Sequence, residues 1–286
     1  MYYTQEVSNK RTTISFEYRP ENRVALDWEK KITQWIGKKY PKTKALTKNG
    51  EVVIVLGGDG TILEAARKYQ NRGPIILGLN LGQIGFLASI RDPKNFISGL
   101  DKFFKGQYWI AKRMMVQANV VRNNKIIFTA NALNEVVTQN LLGMVELEVR
   151  LDGDPIQRIR GTGVLVSTAT GSTAYNLSAH GPLLMPDIEG FIVTELLDHN
   201  IPSPSIVVKK DKIIQIKVLS FRERGLLSIS QTGEKADVVL MVDGSNIFSL
   251  KEKDIINITR SSKLVSFVEL EKNYFFKSLQ EKFSFK

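Results

Sequence analysis

Cysteine is absent from the 286 residues, and histidine occurs only at His180 and His199. Without thiols the chain has no disulfide scaffold, no cysteine nucleophile and no thiolate metal site. Two histidines are too few for a histidine-rich metal centre and leave few candidates for a Ser/His/Asp set. Long apolar runs are missing as well. The most apolar stretch, residues 75–90, is short for a spanning helix and is interrupted by Asn80, Gln83 and three glycines. The opening MYYTQEVSNKRTT lacks the apolar core of a secretory signal. No basic run reaches five residues, and nothing resembles an arginine-rich arm. These absences predict a cytoplasmic protein with no membrane partner and no nucleic-acid partner.

What is present is a positive balance: 40 Lys+Arg against 29 Asp+Glu, net +11, with a pI near 9.6. Such a chain attracts acidic partners, and phosphorylated small molecules rank first among them. Apolar residues at 43% and charged residues at 24% speak for a packed core rather than disorder. At about 150 residues per domain, the length suggests two domains.

The hydrophobic periodicity divides the chain. Residues 12–18 alternate as a short strand. A helix follows, with Pro20 suited to its first turn and Val24, Trp28, Ile32 and Trp35 on one face. Residues 52–56, VVIVL, form the unbroken apolar run of a buried parallel strand. The next helix carries Ile62, Ala65, Ala66 and Tyr69 on one face. A strand follows at 74–79, then a helix capped at Asp92-Pro93 with Phe96, Ile97, Leu100 and Phe103 inward. Strand and helix in alternation predict an α/β layer. From about Lys112 the texture turns to strands: 115–121, 125–130, 145–151, 163–168, 205–208, 213–218, 238–242 and 255–258. The turn signals Asn123-Asn124, Asp152-Gly153 and Asp243-Gly244 separate several of them. The tail returns to helix, with Phe275, Leu279 and Phe283 at spacing four. The predicted fold is an α/β N-terminal domain over 1–112, a predominantly β domain over 113–268, and a C-terminal helix over 269–286.

Four segments carry chemistry. The strand at 52–56 ends in GGDGT, residues 57–61. Glycines at the mouth of a helix let the backbone approach phosphate oxygens, and the helix N-terminus offers free N–H groups. It is not a Walker A loop, since no Gly-Lys-Ser/Thr follows. Asp59 is the unusual member, because a carboxylate among phosphates is repelled unless it has a task. It can accept a proton from an attacking hydroxyl or help hold a phosphate-bound Mg²⁺. An ordinary helix cap is the plain alternative. The second segment, residues 78–87, has three glycines at the carboxyl end of the next strand, where α/β sheets bind ligands. Phe86 there can meet a ring, or simply fill the core. The third is Asn134-Glu135 at a strand end, an amide for a base edge and a carboxylate for ribose hydroxyls. The fourth is the hydroxyl-rich TATGSTAYNLS, residues 168–178, in an uncharged stretch. Gly171-Ser172-Thr173 lacks the flanking glycines of a hydrolase nucleophile elbow.

Together these residues resemble the bacterial NAD kinases over nearly the whole chain. The resemblance rests on VLGGDGTIL (55–63), LGLNLGQIGFLA (77–88), ALNEVV (132–137), VSTATGSTAYNLSAHGPLLMP (166–186), MVDG (241–244) and YFFKSLQEKF (274–283). GGDGT alone also marks lipid kinases and phosphofructokinases; the TGSTAY block with the Asn-Glu pair is specific to NAD kinases. The resemblance implies transfer of the γ-phosphoryl of ATP, or of polyphosphate, to the adenosine 2′-hydroxyl of NAD. Asp59 is then the proton acceptor, with Gly57, Gly58, Gly60 and Thr61 facing phosphates. Asp59, Gly60, Phe86, Asn134, Glu135, Thr173, Ala174, Tyr175, Asn176 and Ser178 hold the dinucleotide. Arg160 stands near the new 2′-phosphate, a role suited to a guanidinium fork. Mg²⁺ arrives with ATP, with no metal cage in the protein. A homodimer or homotetramer is also implied.

Three positions depart from the family pattern. Thr162 stands where the family usually has the Asp that holds the nicotinamide amide, so charge-assisted recognition is lost there. Ala169 replaces a proline, and Ser245 replaces a frequent Gln. Two other readings compete: a lipid kinase sharing the glycine loop, and a non-catalytic nucleotide-binding regulator. His180 and His199 read as surface or turn residues.

Overall fold

In the computed structural model of the chain, the described residues are 12–82, 85–198, 203–225, 227–229, 232–271 and 273–283. His199, and Gln83 and Ile84 of the second glycine segment, lie outside them. The chain forms two compact units, Met1–Arg113 with Lys263–Lys286, and Met114–Ser262.

The first unit opens with β1 (Thr13–Glu17), α1 (Arg23–Lys39), β2 (Lys44–Ala45), β3 (Val52–Leu56), α2 (Asp59–Tyr69), β4 (Ile75–Leu79) and α3 (Phe96–Phe104). The chain then passes along β5 (Trp109–Arg122) into the second unit. There follow β6 (Lys125–Ala132), β7 (Glu135–Asn140), β8 (Val145–Leu151), β9 (Asp154–Gly161), β10 (Gly163–Thr168) and the short α4 (Tyr175–Ser178). Next come β11 (Gly190–Leu196), β12 (Ile206–Lys209), β13 (Ile214–Phe221), β14 (Val238–Val242) and β15 (Asn246–Leu250). The long β16 (Ile255–Glu269) returns to the first unit, which α5 (Tyr274–Phe283) completes.

The first unit is a parallel sheet in the order β2-β1-β3-β4-β16. All five residues of β3 are buried, as an apolar run between covering layers requires. On α2 the predicted face Ile62, Ala65, Ala66 and Tyr69 is buried. The expected face of α1 is shifted at its first residue. Val24 is 57% exposed and Ala25 is buried in its place, whereas Ile32 is buried as expected, Ile36 joins it, and Trp28 and Trp35 are partly covered against the same core. The start is shifted too. Pro20 lies in the preceding turn, and the Asn22 side chain caps the helix by accepting from the Ala25 N–H at 3.1 Å. Asp92 caps a short 3₁₀ turn over Pro93–Asn95, and the α-helix proper begins at Phe96.

The second unit is built from antiparallel strands. One sheet runs β12-β11-β10-β7-β14-β15. Opposite it, the leading half of β16 pairs with β13, followed by β8 and β9, with the β5–β6 hairpin alongside. Val116, Val149, Val166, Phe191, Ile216 and Leu240 meet in one core. The three turn signals form tight turns with positive φ: Asn123 (50°) and Asn124 (60°), Asp152 (52°) and Gly153 (95°), Asp243 (48°) and Gly244 (65°). Strands β9, β11 and β15 were not read from the sequence. β9 carries Pro155 and alternating charges, and it sits exposed at the sheet edge, where Pro is tolerated. Among the described residues, no helix is long and apolar enough to cross a membrane.

Candidate active site

In the first unit, β3 ends at Leu56 and the chain turns through Gly57-Gly58 into α2. The Thr61 and Ile62 N–H groups both donate to the Gly58 carbonyl, at 3.0 and 3.1 Å, which closes the first helical turn. Asp59 opens this helix but does not cap it. Its side chain reaches across to the second glycine segment, accepting from the Phe86 N–H at 2.7 Å and the Leu87 N–H at 3.2 Å. The two bonds use different carboxylate oxygens, so each oxygen keeps a free lone pair.

This contact explains the glycines around it. A Cβ on Gly85 would stand 2.1 Å from Asp59 Oδ1, and one on Gly57 would stand 2.5 Å from Thr61 Oγ1. At either site a side chain would force its neighbour to shift. Asn80, buried, donates to the Gly82 carbonyl at 3.1 Å and accepts from the Gly82 N–H at 3.2 Å, which fixes the entry to the glycine segment. Phe86 is only 7% exposed. Its ring lies 5.9 Å from Phe275 and 6.2 Å from Phe283 of α5, with Lys282 Nζ 4.9 Å from its centroid. The structure therefore places Phe86 in a packed aromatic cluster rather than on an open face.

In the second unit, Asn134 and Glu135 stand at the start of β7. Their backbone is held by a residue to which the sequence reading assigned no role. Asp243 accepts from the N–H groups of Leu133 (2.9 Å), Asn134 (2.8 Å) and Glu135 (3.3 Å), and its own N–H donates to the Glu135 carbonyl at 3.0 Å. Asp243 sits in a left-handed conformation that costs a non-glycine residue energy; four bonds offset it. In the sequence it stood in an Asp-Gly turn and in the MVDG segment, and neither pointed to this role. Glu135 Oε2 and Asn134 Oδ1 are buried without a hydrogen-bond partner. Burial first, and then the Asp243 charge, push the Glu135 carboxyl up to about 8. Two adjacent buried acceptors without donors are costly in a resting protein and suit hydroxyl or amide groups brought by a ligand.

The hydroxyl-rich block packs directly on this pair. Thr168 Oγ1 donates to the Leu133 carbonyl at 2.6 Å, and the Thr168 N–H donates to the Asn134 carbonyl at 2.8 Å. A Cβ on Gly171 would strike the Asn134 carbonyl at 2.3 Å. Ser172, fully buried, donates to the Ala169 carbonyl at 2.7 Å and accepts from the Leu184 N–H at 3.1 Å, so it is a brace and no nucleophile. Tyr175 and Ser178 are exposed on α4, with Thr173 and Ala174 half-buried before them. Asn176 faces inward. It has no exposed surface, donates to the Pro182 carbonyl at 3.0 Å and accepts from Thr194 Oγ1 at 2.8 Å, so it holds the segment in place.

Arg160 and Thr162 lie apart from this pair. Arg160 is exposed near the end of β9, in the other sheet. Thr162 Oγ1 donates to the Leu196 carbonyl at 2.7 Å and retains lone pairs to accept from an amide. His180 is an exposed turn residue at φ 61°.

Two family models match the chain, the ATP-NAD kinase N-terminal domain over residues 2–108 and the ATP-NAD kinase C-terminal domain over 133–270. The NAD kinase of Thermoanaerobacter pseudethanolicus is 34% identical over 84% of this chain and 81% of that protein. The chain belongs to the NAD kinase family. The NAD kinase of Lachnoclostridium phytofermentans is 36% identical over 85% of this chain and 84% of that protein. The fold recurs in the crystal structure of yeast NADH kinase complexed with NADH, with a TM-score of 0.85 at 19% identity over 97% of this chain and 89% of that one. It recurs in an NAD kinase from Archaeoglobus fulgidus in complex with ATP, with a TM-score of 0.74 at 23% identity over 94% and 98% of the two chains. The chain is thus an enzyme, a kinase of NAD. The match through 133–270 takes in the Asn-Glu pair and the TGSTAY block, and it sets aside the lipid-kinase reading. In this NAD kinase Asp59 falls within the N-terminal family domain, and Asn134, Glu135 and Asp243 fall within the C-terminal one.

Proposed function

We propose that this NAD kinase moves the γ-phosphoryl group of ATP to the adenosine 2′-hydroxyl of NAD, with Asp59 accepting the hydroxyl proton. The observation that carries the reading is the Asp59 carboxylate, clamped by the Phe86 and Leu87 N–H groups beside the Gly57-Gly58 turn. A fixed carboxylate with free lone pairs at the mouth of a glycine turn serves a hydroxyl nucleophile well.

As the 2′-oxygen attacks the γ-phosphorus, the bond from that phosphorus to the β,γ-bridging oxygen breaks. ADP departs, and the hydroxyl proton passes to Asp59. The transition state is loose, so positioning and charge neutralisation supply most of the acceleration and the acceptor a smaller share. Gly57, Gly58, Gly60 and Thr61 would present main-chain N–H groups and a hydroxyl to phosphate oxygens. Asn134 and Glu135 would take the ribose and base-edge donors that their buried oxygens lack. Tyr175, Thr173, Ala174 and Ser178 would line the dinucleotide beside them, and Thr162 would accept from the nicotinamide amide.

A Mg²⁺ ion carried on the ATP phosphates would neutralise their charge, and Asp59, whose two oxygens each accept only one main-chain bond, keeps lone pairs with which it would help hold that ion. A homodimer or homotetramer in the cytoplasm completes the reading, and light scattering measures the assembly.

The test is a coupled assay in which purified protein, NAD, ATP and Mg²⁺ generate NADP, read by an NADP-specific dehydrogenase. Asp59→Asn is expected to lower kcat by about 10²–10⁴ while NAD still binds. Near-normal turnover in Asp59→Asn would remove the proton-acceptor role. Polyphosphate and NADH, run in parallel, identify the donor and the preferred acceptor.

A further inference from the structure

The tail helix α5 supplies no group to the chemistry proposed above, yet it backs the segment that holds Asp59, and every residue involved lies within the first unit. After the glycine segment the chain turns back alongside β4. The Ile90 N–H donates to the Gly78 carbonyl at 3.0 Å, the Asn80 N–H donates to the Ile90 carbonyl at 2.9 Å, and the Gly78 N–H donates to Ser89 Oγ at 3.1 Å. This return begins with the Phe86 and Leu87 N–H groups that clamp the Asp59 carboxylate, and it ends at Arg91. Arg91 therefore stands on a fixed base.

Helix α5 meets the return at both ends. At the far end Arg91, with a side chain only 14% exposed, makes three bonds to the helix. Its Nη2 donates to the Tyr274 carbonyl and to Ser278 Oγ, each at 2.8 Å, and its Nη1 pairs with Glu281. The guanidinium also lies over the Tyr274 ring, 4.4 Å from its centroid. Ser278 has no exposed surface and donates its own O–H to the Tyr274 carbonyl at 2.9 Å, which leaves its lone pairs for the guanidinium. Three acceptors along one helix suit the rigid fork of arginine, which a single ammonium does not reproduce. At the near end the rings of Phe275 and Phe283 meet Phe86, and Phe86, Leu87 and Tyr274 share the wall of a cavity of about 10 Å³. The helix thus packs against the two residues whose N–H groups hold the carboxylate.

We infer that Arg91 is a positioning residue for phosphoryl transfer: by anchoring α5 behind Phe86 and Leu87, it fixes where the Asp59 carboxylate stands. The inference rests on the reading of Asp59 as proton acceptor. Arg91 touches no reacting atom, so its effect passes through that carboxylate.

The experiment is a double-mutant cycle on the full chain in the coupled assay. Arg91→Ala is expected to lower kcat about tenfold or more, because a misplaced acceptor is costly. The KM for NAD should change less than about twofold, since no binding group is removed. In the Asp59→Asn background the same substitution should change the residual kcat less than about twofold, because the group it positions is gone. Lys277→Ala removes an exposed cation from the same helix and should leave kcat at the wild-type value. Circular dichroism at the assay temperature checks that each variant is folded. If Arg91→Ala is not, Arg91→Lys carries the cycle, with kcat lowered about threefold beside Asp59 and unchanged beside Asn. Equal fold-losses in the two backgrounds overturn the inference, since general damage to the fold acts without Asp59. Wild-type kcat in folded Arg91→Ala, with turnover lost in Asp59→Asn, overturns the inference alone. Near-normal turnover in Asp59→Asn removes the proton acceptor and the inference with it.

Discussion

Gly85 carries no chemistry of its own, yet the Asp59 carboxylate occupies the space its Cβ would need, 2.1 Å from Oδ1. Gly85→Ala must therefore push the carboxylate or the Phe86–Leu87 amides aside, and a displaced acceptor reduces turnover steeply. We expect kcat to fall at least about tenfold in the coupled assay. The melting temperature should fall by only a few degrees, since the overpacking is local, about 1–3 kcal/mol. Wild-type kcat in Gly85→Ala would show that the carboxylate has slack at this point. Glu135 makes a second prediction at the same scale, this time in stability. Its carboxyl rises from 4.5 to about 8 on folding, through burial and then the Asp243 charge. Between these values the unfolded chain has lost the proton and the folded chain keeps it. The contribution of this group to stability is therefore retained below pH 4.5, declines as pH rises toward about 8, and is level beyond. The decline is on the order of a few kcal/mol. Glu135→Gln should flatten it, so that urea midpoints of wild type and variant differ more near pH 8 than in mild acid. Parallel pH profiles would locate the decline in other groups.

At the scale of elements, the β14–β15 hairpin reaches back to set the start of β7. Asp243→Ala removes an acceptor from three N–H groups at once, and neither water nor alanine replaces it in a buried site. The KM for NAD should rise at least about tenfold with a smaller change in kcat, because the groups displaced bind and do not react. A kcat loss at constant KM would contradict that division. This hairpin also marks where the sequence stops being legible. Asp243-Gly244 announces its turn plainly, because local chemistry decides a turn. That the same carboxylate aims at residues 133–135 is a tertiary fact with no local trace. The face of α2 was readable because Ile62, Ala65, Ala66 and Tyr69 are its apolar residues at helical spacing. The face of α1 was readable at Trp28, Ile32 and Trp35 but not at its start, because small Ala25 takes the buried place and larger Val24 is left outside. The glycine segment, the Asn-Glu pair and the hydroxyl block were each visible. What was hidden is how they are held: that Asp59 is the reason for Gly85, that Phe86 packs under α5, and that Asn176 points inward as a brace.

At the scale of the whole molecule, the chain leaves the first unit along β5 and returns to it along β16. Within that unit, at these two crossings, Arg113 Nη2 and Glu269 Oε1 meet at 2.9 Å with side chains only 6% and 8% exposed. A buried ion pair of this kind adds little net stability, since desolvation offsets much of the attraction. Breaking it is another matter, because one charge is then left buried without its partner. Glu269→Ala should therefore destabilise the first unit by about 3–5 kcal/mol in urea unfolding. The same pair replaced as Arg113→Met/Glu269→Leu should recover most of that loss, since the volume is kept and no charge is stranded. If the double variant is as unstable as Glu269→Ala, the pair acts through hydrogen-bond geometry that apolar side chains cannot replace. Turnover supplies a second comparison. Neither residue belongs to the proposed machinery, so a folded double variant should convert NAD at close to the wild-type rate. A folded double variant with lost turnover would mean that the two crossings do more than connect the units.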